Sequence, residues 1–319
     1  MATNKISTYT LSWWEKIVYG ILFSILYVFS LMPFFLHYIF SDILYYIIYK
    51  VIKYRLKIVR KNIKESFPER SIDERLKIER DFYHFLTDYF VETIKLMSIS
   101  DESIKKHITF DGIEHINDAV AEGSSVSLYL GHNGNWEWVT SIGLHLKGNP
   151  FGGQVYHVLE NKIFDKLFLY IRQRMRTHCV PMQEILRRRM ECKQKGLPMV
   201  MGYISDQVPQ WHNIHYWTEF LHQETPVLTG AEKITKRFND HAVYMDMTHI
   251  KRGVYRVNII PMVDGDSKDI PDYELTERYF RLLEQSIQRE PAIWLWSHNR
   301  WKRTREGYDR WINGGGDDF

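Results

Sequence analysis

Cysteine is scarce in this chain of 319 residues, which contains only Cys179 and Cys192. Neither thiol has a histidine or a second cysteine at metal-ligand spacing, so no zinc site and no disulfide framework is predicted. The chain also lacks a Gly-x-Ser-x-Gly elbow and an H-E-x-x-H motif, the signatures of acyl-enzyme hydrolases and zinc proteases. Internal repeats are absent too. Reduced thiols are typical of a cytoplasmic catalytic domain.

Charge is absent from residues 17–40, where 24 consecutive positions carry no Asp, Glu, Lys or Arg. A membrane span needs about 20 predominantly apolar residues. A cluster of basic residues follows the run, at Lys50, Lys53, Arg55, Lys57, Arg60, Lys61 and Lys64. The pattern predicts a membrane anchor and basic flank over residues 1–65, with the bulk of the protein on the cytoplasmic side of the membrane. Pro33 and Asp42 leave three arrangements open: a kinked span, a tight hairpin or an interfacial helix.

The chain beyond the anchor has the pattern of an α/β domain. Ser71 and Glu74 form a capping box that predicts the start of one long amphipathic helix. After residue 108, short β-rich runs alternate with helical stretches, which predicts a mixed, largely parallel sheet flanked by helices. We assign residues 66–312 to this domain and residues 313–319 to a flexible tail.

The most informative segment is Gly-His-Asn-Gly-Asn-Trp-Glu at residues 131–137, directly after the apolar run 125–130. The pattern is typical of a strand, a turn and a helix start. Because His132 and Glu137 are five residues apart, they cannot share one helix face, so His132 must lie in the turn. We expect the Glu137 carboxylate to hold one ring nitrogen and leave the other free as a general base. Backbone amides of the turn are expected to meet a developing oxyanion.

A second polar residue, Asp206, follows the predicted strand 199–204. In open α/β sheets, sites gather beyond the carboxyl ends of the strands. The ends of the two predicted strands, with His132 and Asp206, are therefore one candidate cleft.

The motif resembles the signature of the late lipid A acyltransferases, the lauroyl and myristoyl transferases of lipopolysaccharide assembly. They belong to the wider H-x-x-x-x-D/E glycerolipid acyltransferase group. The resemblance runs from the anchor to Lys302, because further blocks follow in the family order. These blocks are residues 60–63 through 67–68, 161–165 with Arg172-Gln173-Arg174, Asp206-Gln207, 220–226 with 229–231, and 294–302.

The resemblance implies transfer of an acyl group from a thioester, typically of acyl carrier protein, to a hydroxyl of a membrane lipid. It implies His132 as the base and Glu137 as its orienting partner, with no metal and no cofactor. Arg172 or Arg174, preferably Arg174, is expected to bind a phosphate of the lipid or of phosphopantetheine. Asp206 is expected to hold a substrate hydroxyl or an arginine, and Asn135 of the motif is placed among the substrate-binding residues.

Two departures from the family leave the acceptor and the acyl length open. An aromatic loop over residues 208–217 replaces a glycine-containing one, and Asn299 stands where the family commonly has arginine. Three alternatives remain: a transferase for another membrane lipid such as a phospholipid or glycolipid, a non-catalytic membrane-associated homologue, and a metal hydrolase using His132 and Glu137 as ligands. Nucleic-acid binding is disfavoured because the basic cluster adjoins the apolar run.

Overall fold

The computed structural model describes residues 10–263 and 266–314, so the end of the predicted tail lies outside the described residues. Helices of the described ranges are α1 (Trp13–Leu31), α2 (Phe34–Tyr45), α3 (Leu56–Ser66), α4 (Ile72–Lys95), α5 (Asp101–His107), α6 (Ile113–Ala121), α7 (Lys162–Gln173), α8 (Ile185–Gln194), α9 (Gly230–Phe238), α10 (Glu274–Arg289) and α11 (Arg305–Ile312). The capping box at Ser71 is present, and the long helix that it predicts is α4.

Strands of the described ranges are β1 (Ile108–Asp111), β2 (Val126–Leu130), β3 (Phe151–Tyr156), β4 (His178–Pro181), β5 (Met199–Ile204), β6 (Tyr216–Phe220), β7 (Gln223–Val227), β8 (His241–Lys251) and β9 (Val254–Pro261). Strands β6 and β7 form a separate hairpin, and the others form one sheet of order β1-β9-β8-β2-β5-β3-β4. All neighbours in the sheet are parallel except β8 and β9. The predicted mixed, largely parallel α/β fold is confirmed.

Strands β2 and β5 lie at the centre of the sheet and are apolar because helices cover both of its faces. Tyr129 packs into one hydrophobic cluster and Leu128 into the other, as expected for neighbours on a pleated strand. The two strands pair in parallel, with Leu130 opposite Ile204. Residues that follow these two positions therefore emerge side by side at one edge of the sheet.

The segment after the motif differs from its predicted α-helix. Residues Trp138–Leu144 form a 3₁₀-helix. Two hydroxyls bond to carbonyls three residues back, Thr140 Oγ1 to Glu137 O at 2.7 Å and Ser141 Oγ to Trp138 O at 2.7 Å. Such side-chain bonds compete with the α-helical pattern of the backbone.

The N-terminal helices form a hairpin in which α2 continues as a π-helix over Tyr46–Ile52. By length and composition, Trp13–Leu31 and Phe34–Ile52 are each apolar enough to cross a membrane. This supports the predicted membrane anchor. Helix α2 packs along α4, the first long helix of the α/β domain.

Glu92 on α4 is a buried carboxylate, 1% exposed. Its oxygens accept hydrogen bonds from Asn135 Nδ2 at 2.7 Å, Tyr255 Oη at 2.8 Å and Tyr38 Oη at 3.1 Å. Burial raises the pKa of Glu92 to about 7, although the hydrogen bonds of Tyr255 and Asn135 favour the charged form. The folded protein therefore binds a proton at Glu92 in a pH range where the unfolded chain does not.

This difference gives a pH dependence of stability with a definite sign. From about pH 4.5 to pH 7, the folded state holds more protons at Glu92 than the unfolded state. The contribution of Glu92 to the free energy of unfolding therefore falls as pH rises. A Glu92→Gln variant should lose this component and show a flatter Tm-against-pH curve between pH 5 and pH 7. The control is Glu114→Gln on the exposed face of α6. Equal slopes for Glu92→Gln and the wild type would contradict the assignment.

Candidate active site

His132 and Asp206 meet at the edge of the sheet where β2 and β5 end. The distance from His132 Nδ1 to Asp206 Oδ1 is 2.6 Å, and the backbone N–H of His132 donates to Asp206 Oδ2 at 2.8 Å. Asp206 is 2% exposed, whereas the His132 side chain is 16% exposed. The carboxylate therefore fixes both the backbone and the ring of His132. The expectation that Asp206 holds a substrate hydroxyl or an arginine is wrong, because its bonds go to His132 and Trp294.

Asp206 is ionised in this environment. Burial by itself raises its pKa, but the adjacent His132 charge and the hydrogen bonds from His132 and Trp294 outweigh it and lower the pKa to about 2. Trp294 Nε1 donates to Oδ2 at 2.9 Å. Because an ionised carboxylate only accepts hydrogen bonds, Nδ1 of His132 carries a proton, and Nε2 lies 3.3 Å from Gln207 Nε2, from which it can accept whenever the ring is neutral.

The turn after β2 depends on two glycines. A Cβ on Gly131 would lie 2.5 Å from a Leu283 methyl group and 3.2 Å from Asp206 Oδ2. Gly134 has φ of +71° and its Cβ would lie 2.2 Å from Met247 Sδ. A side chain at either position would therefore force Leu283 of α10 or Met247 of β8 to move.

Backbone amides of this turn are already engaged. The amides of His132, Gly134 and Asn135 donate to Asp206, the Ile293 carbonyl and Met247 Sδ respectively. The expectation that these amides stabilise an oxyanion is therefore wrong for all three.

Glu137 has a different partner from the one expected. Its carboxylate binds the guanidinium of Arg172 through two hydrogen bonds, Nη2 to Oε1 at 2.6 Å and Nε to Oε2 at 2.8 Å, and Tyr89 Oη donates to Oε1 at 3.4 Å. The expectation that Glu137 orients His132 is wrong, because β5 brings Asp206 to the ring nitrogen instead. Glu137 and Arg172 nevertheless line the same cavity as His132, so a catalytic role for Glu137 stays a prediction.

Two further predicted site residues, Arg174 and Asn135, do not line this cavity. Arg174 donates to the carbonyls of Leu96 and Ile99, just beyond the end of α4. Asn135 is fully buried, and its side chain joins Glu92 to the backbone N–H of Trp138. The geometry therefore favours Arg172 over Arg174 as a substrate contact, and it gives Asn135 a positioning role within the motif.

A cavity of about 250 Å³ opens beside the imidazole. Its polar lining includes His132, Glu137, Arg172 and Gln207. Its apolar lining comes from neighbouring sheet positions and the segment after the motif, namely Leu128, Leu130, Gly202, Ile204, Val139 and Ile142. An apolar wall next to His132 Nε2 suits a substrate in which a hydrocarbon chain is attached to a reactive polar group.

Sequence reasoning missed three contacts at this site. Gln207 Nε2 lies 3.3 Å from His132 Nε2, Tyr89 contacts Glu137, and Trp294 holds Asp206. The Gln207 contact is implied by its position directly after Asp206. The other two link segments more than 40 residues apart, and no local pattern marks them. In the described parts of the chain, no group of three or more His, Cys, Asp or Glu side chains is arranged to hold a metal ion.

The Glu137–Arg172 pair allows a test of its contribution to folding. Arg172→Met should lower the free energy of unfolding by about 3–5 kcal/mol, because it leaves a carboxylate of 2% exposure without its counter-charge. Adding Glu137→Leu should recover part of the loss, which a double-mutant cycle measures. Arg176→Met is the matched control, since the Arg176–Asp101 pair is exposed and should contribute less than about 1 kcal/mol. Equal losses for Arg172→Met and Arg176→Met would refute this account.

Comparison with known proteins shows that most of the chain matches one protein family. The family model for the bacterial lipid A biosynthesis acyltransferase matches residues 4–303. The lipid A biosynthesis lauroyltransferase of Escherichia coli (strain K12) is 24% identical over 264 residues, covering 81% of this chain and 82% of that protein. The palmitoleoyltransferase of the same strain and an acyltransferase of Shigella flexneri are each 22% identical over 270 residues, covering 80% of this chain and 81% of theirs. The chain belongs to the bacterial lipid A biosynthesis acyltransferases.

Proposed function

We propose that this acyltransferase moves a fatty acyl group from an acyl thioester of acyl carrier protein to a hydroxyl of a lipid A precursor. The observation that carries the proposal is the His132 ring, held by Asp206 at Nδ1 and facing an apolar cavity. Family membership supports the reaction class and the lipid acceptor. The reaction requires no metal and no cofactor beyond the thioester, because the acyl donor is already activated.

His132 Nε2 is the general base of the proposed mechanism. It removes the proton of the lipid hydroxyl as the oxygen attacks the thioester carbonyl, and the C–S bond then breaks to release the carrier thiol. Asp206 keeps the proton on Nδ1 and stabilises the imidazolium that forms. Base catalysis of this kind contributes about 10²–10⁴-fold to the rate. The proton passes from His132 to the departing thiolate, so the ring is neutral again after each turnover.

Two further cavity residues act on the donor. Gln207 carries the side-chain amide next to His132 Nε2, and its N–H groups donate to the oxygen that gains charge in the tetrahedral intermediate. Arg172 provides a cation at the same cavity and binds a donor or acceptor phosphate, while Glu137 fixes its orientation through the paired hydrogen bonds. Glu137 therefore acts on the reaction through Arg172 rather than through His132.

The enzyme works at the cytoplasmic face of the inner membrane. Its apolar N-terminal helices and the basic residues that follow them support this location. An acyl carrier protein donor is available on that side, and the lipid acceptor lies in the adjoining leaflet.

Removal of the His132 imidazole should strongly slow acyl transfer and leave the protein folded. His132→Ala should lower acyl transfer from acyl carrier protein to a lipid A precursor by about 10²–10⁴-fold. Asp206→Asn should cause a loss of the same order, because it removes the charge that fixes the tautomer. The control is His115→Ala on the exposed face of α6.

In cells that lack the gene, mass spectrometry should find lipid A that is lighter by one acyl chain. The wild-type gene should restore the full mass, and the His132→Ala gene should not.

Two outcomes would overturn the proposal. Acyl transfer at the wild-type rate by His132→Ala would show that His132 is not the base. A missing acyl chain on a phospholipid or another glycolipid, with lipid A unchanged, would show that the acceptor is not a lipid A precursor.

Gly202 is placed to limit the length of the acyl chain. It lines the cavity opposite Leu128 in the β2–β5 register, and a Cβ there would make only ordinary contacts, the nearest at 3.6 Å from Gln154 Cβ. Gly202→Val should therefore fold and fill part of the cavity, which shifts the kcat/KM ratio towards shorter acyl donors by about tenfold or more. A competition assay with mixed acyl carrier thioesters measures the ratio. Met201→Leu, on the opposite face of β5, should not change it, and an unchanged ratio in Gly202→Val would exclude the cavity as the acyl site.

A further inference from the structure

The two N-terminal helices carry exposed apolar side chains, together called the outer face. It consists of Ile21, Ile25 and Val28 of α1 and Phe35, Ile39 and Ile43 of α2, each between 52% and 64% exposed. The members recur three or four residues apart, so they form one stripe on each helix. An exposed apolar surface of this extent on two adjacent helices marks an interaction site.

The opposite side of α2 is polar and fixed to α4. Ser41 Oγ donates to Asp88 and Thr87, and Tyr38 Oη donates to Glu92. Arg252, in the turn between β8 and β9, binds both Asp42 of α2 and Asp88 of α4. Helix α2 is therefore bonded to the α/β domain along its length.

The turn between α1 and α2 is also bound to the domain. Lys95 Nζ donates to the carbonyls of Ser30 at 2.8 Å and Met32 at 2.6 Å, and Ser98 Oγ donates to the Ser30 carbonyl at 2.7 Å. Helix α5 begins six residues after Lys95 and exposes Lys105 to solvent. This end of the hairpin therefore lies next to a hydrated, charged part of the domain.

The other end of the hairpin has the same kind of surroundings. Tyr49 Oη donates to Glu79 near the start of α4 at 2.8 Å. The basic flank follows at once, and between residues 50 and 80 the chain carries eleven basic and five acidic residues. Both ends of α2 and its π-helical continuation thus contact charged parts of one domain.

These contacts are incompatible with a hairpin that crosses the bilayer. The 19 residues from Phe34 to Ile52 extend about 28 Å, close to the hydrocarbon thickness. If they crossed, α4 would have to cross beside them, with Asp88 and Glu92 inside the hydrocarbon and α5 on the far side. Charged groups are costly at that depth.

We propose that both helices lie parallel to the membrane plane, immersed in one leaflet by the outer face, and that neither spans the bilayer. The basic flank then lies at the level of anionic headgroups, where exposed lysines gain from the negative surface potential. The occupant of the outer face is the leaflet itself, because the surface is apolar and continuous with this cationic edge.

The same arrangement places the cavity beside the leaflet, a consequence that rests on the proposed function. Helix α1 packs on α7 through Phe23 and Tyr170, whose rings are 4.8 Å apart. Phe164 of α7 is 46% exposed, and Leu159, which lines the cavity, is 38% exposed. Exposed apolar side chains therefore lie on α7, which packs on α1, and at the cavity rim, so a lipid acceptor enters sideways from the leaflet.

The depth of α1 in a bilayer tests the proposal without any measurement of activity. Single cysteines at Ile21, Ile25, Val28 and Leu31 of the full-length protein carry a spin label, one at a time, in phosphatidylglycerol and phosphatidylethanolamine vesicles. Cys179 and Cys192 are 3% exposed and are replaced by serine if they react. Oxygen and nickel-chelate accessibilities give the depth at each position. Lys106→Cys on α5 is the control and should report water.

An in-plane helix should give nearly the same depth at all four positions, about 5–10 Å below the headgroups. A spanning helix should change depth by about 15 Å from Ile21 to Leu31, and that gradient would overturn the proposal. Water accessibility at all four labels would also overturn it, because the outer face would then not meet lipid. A second series at Phe35, Ile39 and Ile43 gives an independent result if an α1 variant does not fold. If the wild-type protein transfers no acyl group to a lipid A precursor while the depth profile is flat, the proposed function is refuted and the in-plane arrangement stands.

Discussion

Asp206 joins three segments of the chain that are distant in sequence. Its carboxylate follows β5, accepts hydrogen bonds from the backbone and ring of His132 after β2, and accepts a third from the Trp294 indole near the C-terminal end of the domain. Loss of any one of these donors would destabilise the buried carboxylate, because each unmade bond to a buried charge is costly. The position of His132 therefore depends on the packing of the central sheet against the tryptophan-rich segment 294–301.

The cavity separates two ionic pairs with different partners. His132 and Asp206 lie at the strand ends, whereas Glu137 and Arg172 join the segment after the motif to α7. Each carboxylate has its own partner, so His132 does not share one with the Arg172 guanidinium. If Glu137 held the ring instead, Arg172 would be left at the cavity without its counter-charge. The H-x-x-x-x-E spacing therefore brings both residues to one cavity without bringing them into contact.

Local signals predicted the parts of this molecule that depend on local physics. The capping box at Ser71, the apolar strands β2 and β5 and the turn at residues 131–137 follow from hydrogen bonding and periodicity within a few residues. Strands β1, β4, β6 and β7 are not predicted, because four or five residues carry too little periodicity on their own. The partner of His132 depends on which strand lies next to β2, a property of sheet order. Asp206 was recognised as a strand-end residue, yet its contact with His132 required the β2–β5 register.

Helix α4 connects α2 to the turn at residues 131–137 through one side chain. Glu92 accepts from Tyr38 of α2 on one oxygen and from Asn135 of the motif on the other. Asn135 in turn accepts from the Trp138 N–H and fixes the start of the 3₁₀-helix that follows Glu137. Loss of the Tyr38 hydrogen bond would disfavour the charged form of Glu92, whereas loss of burial would favour it. Either change alters the carboxylate that binds Asn135, so the contact between α2 and α4 is coupled to the turn at residues 131–137.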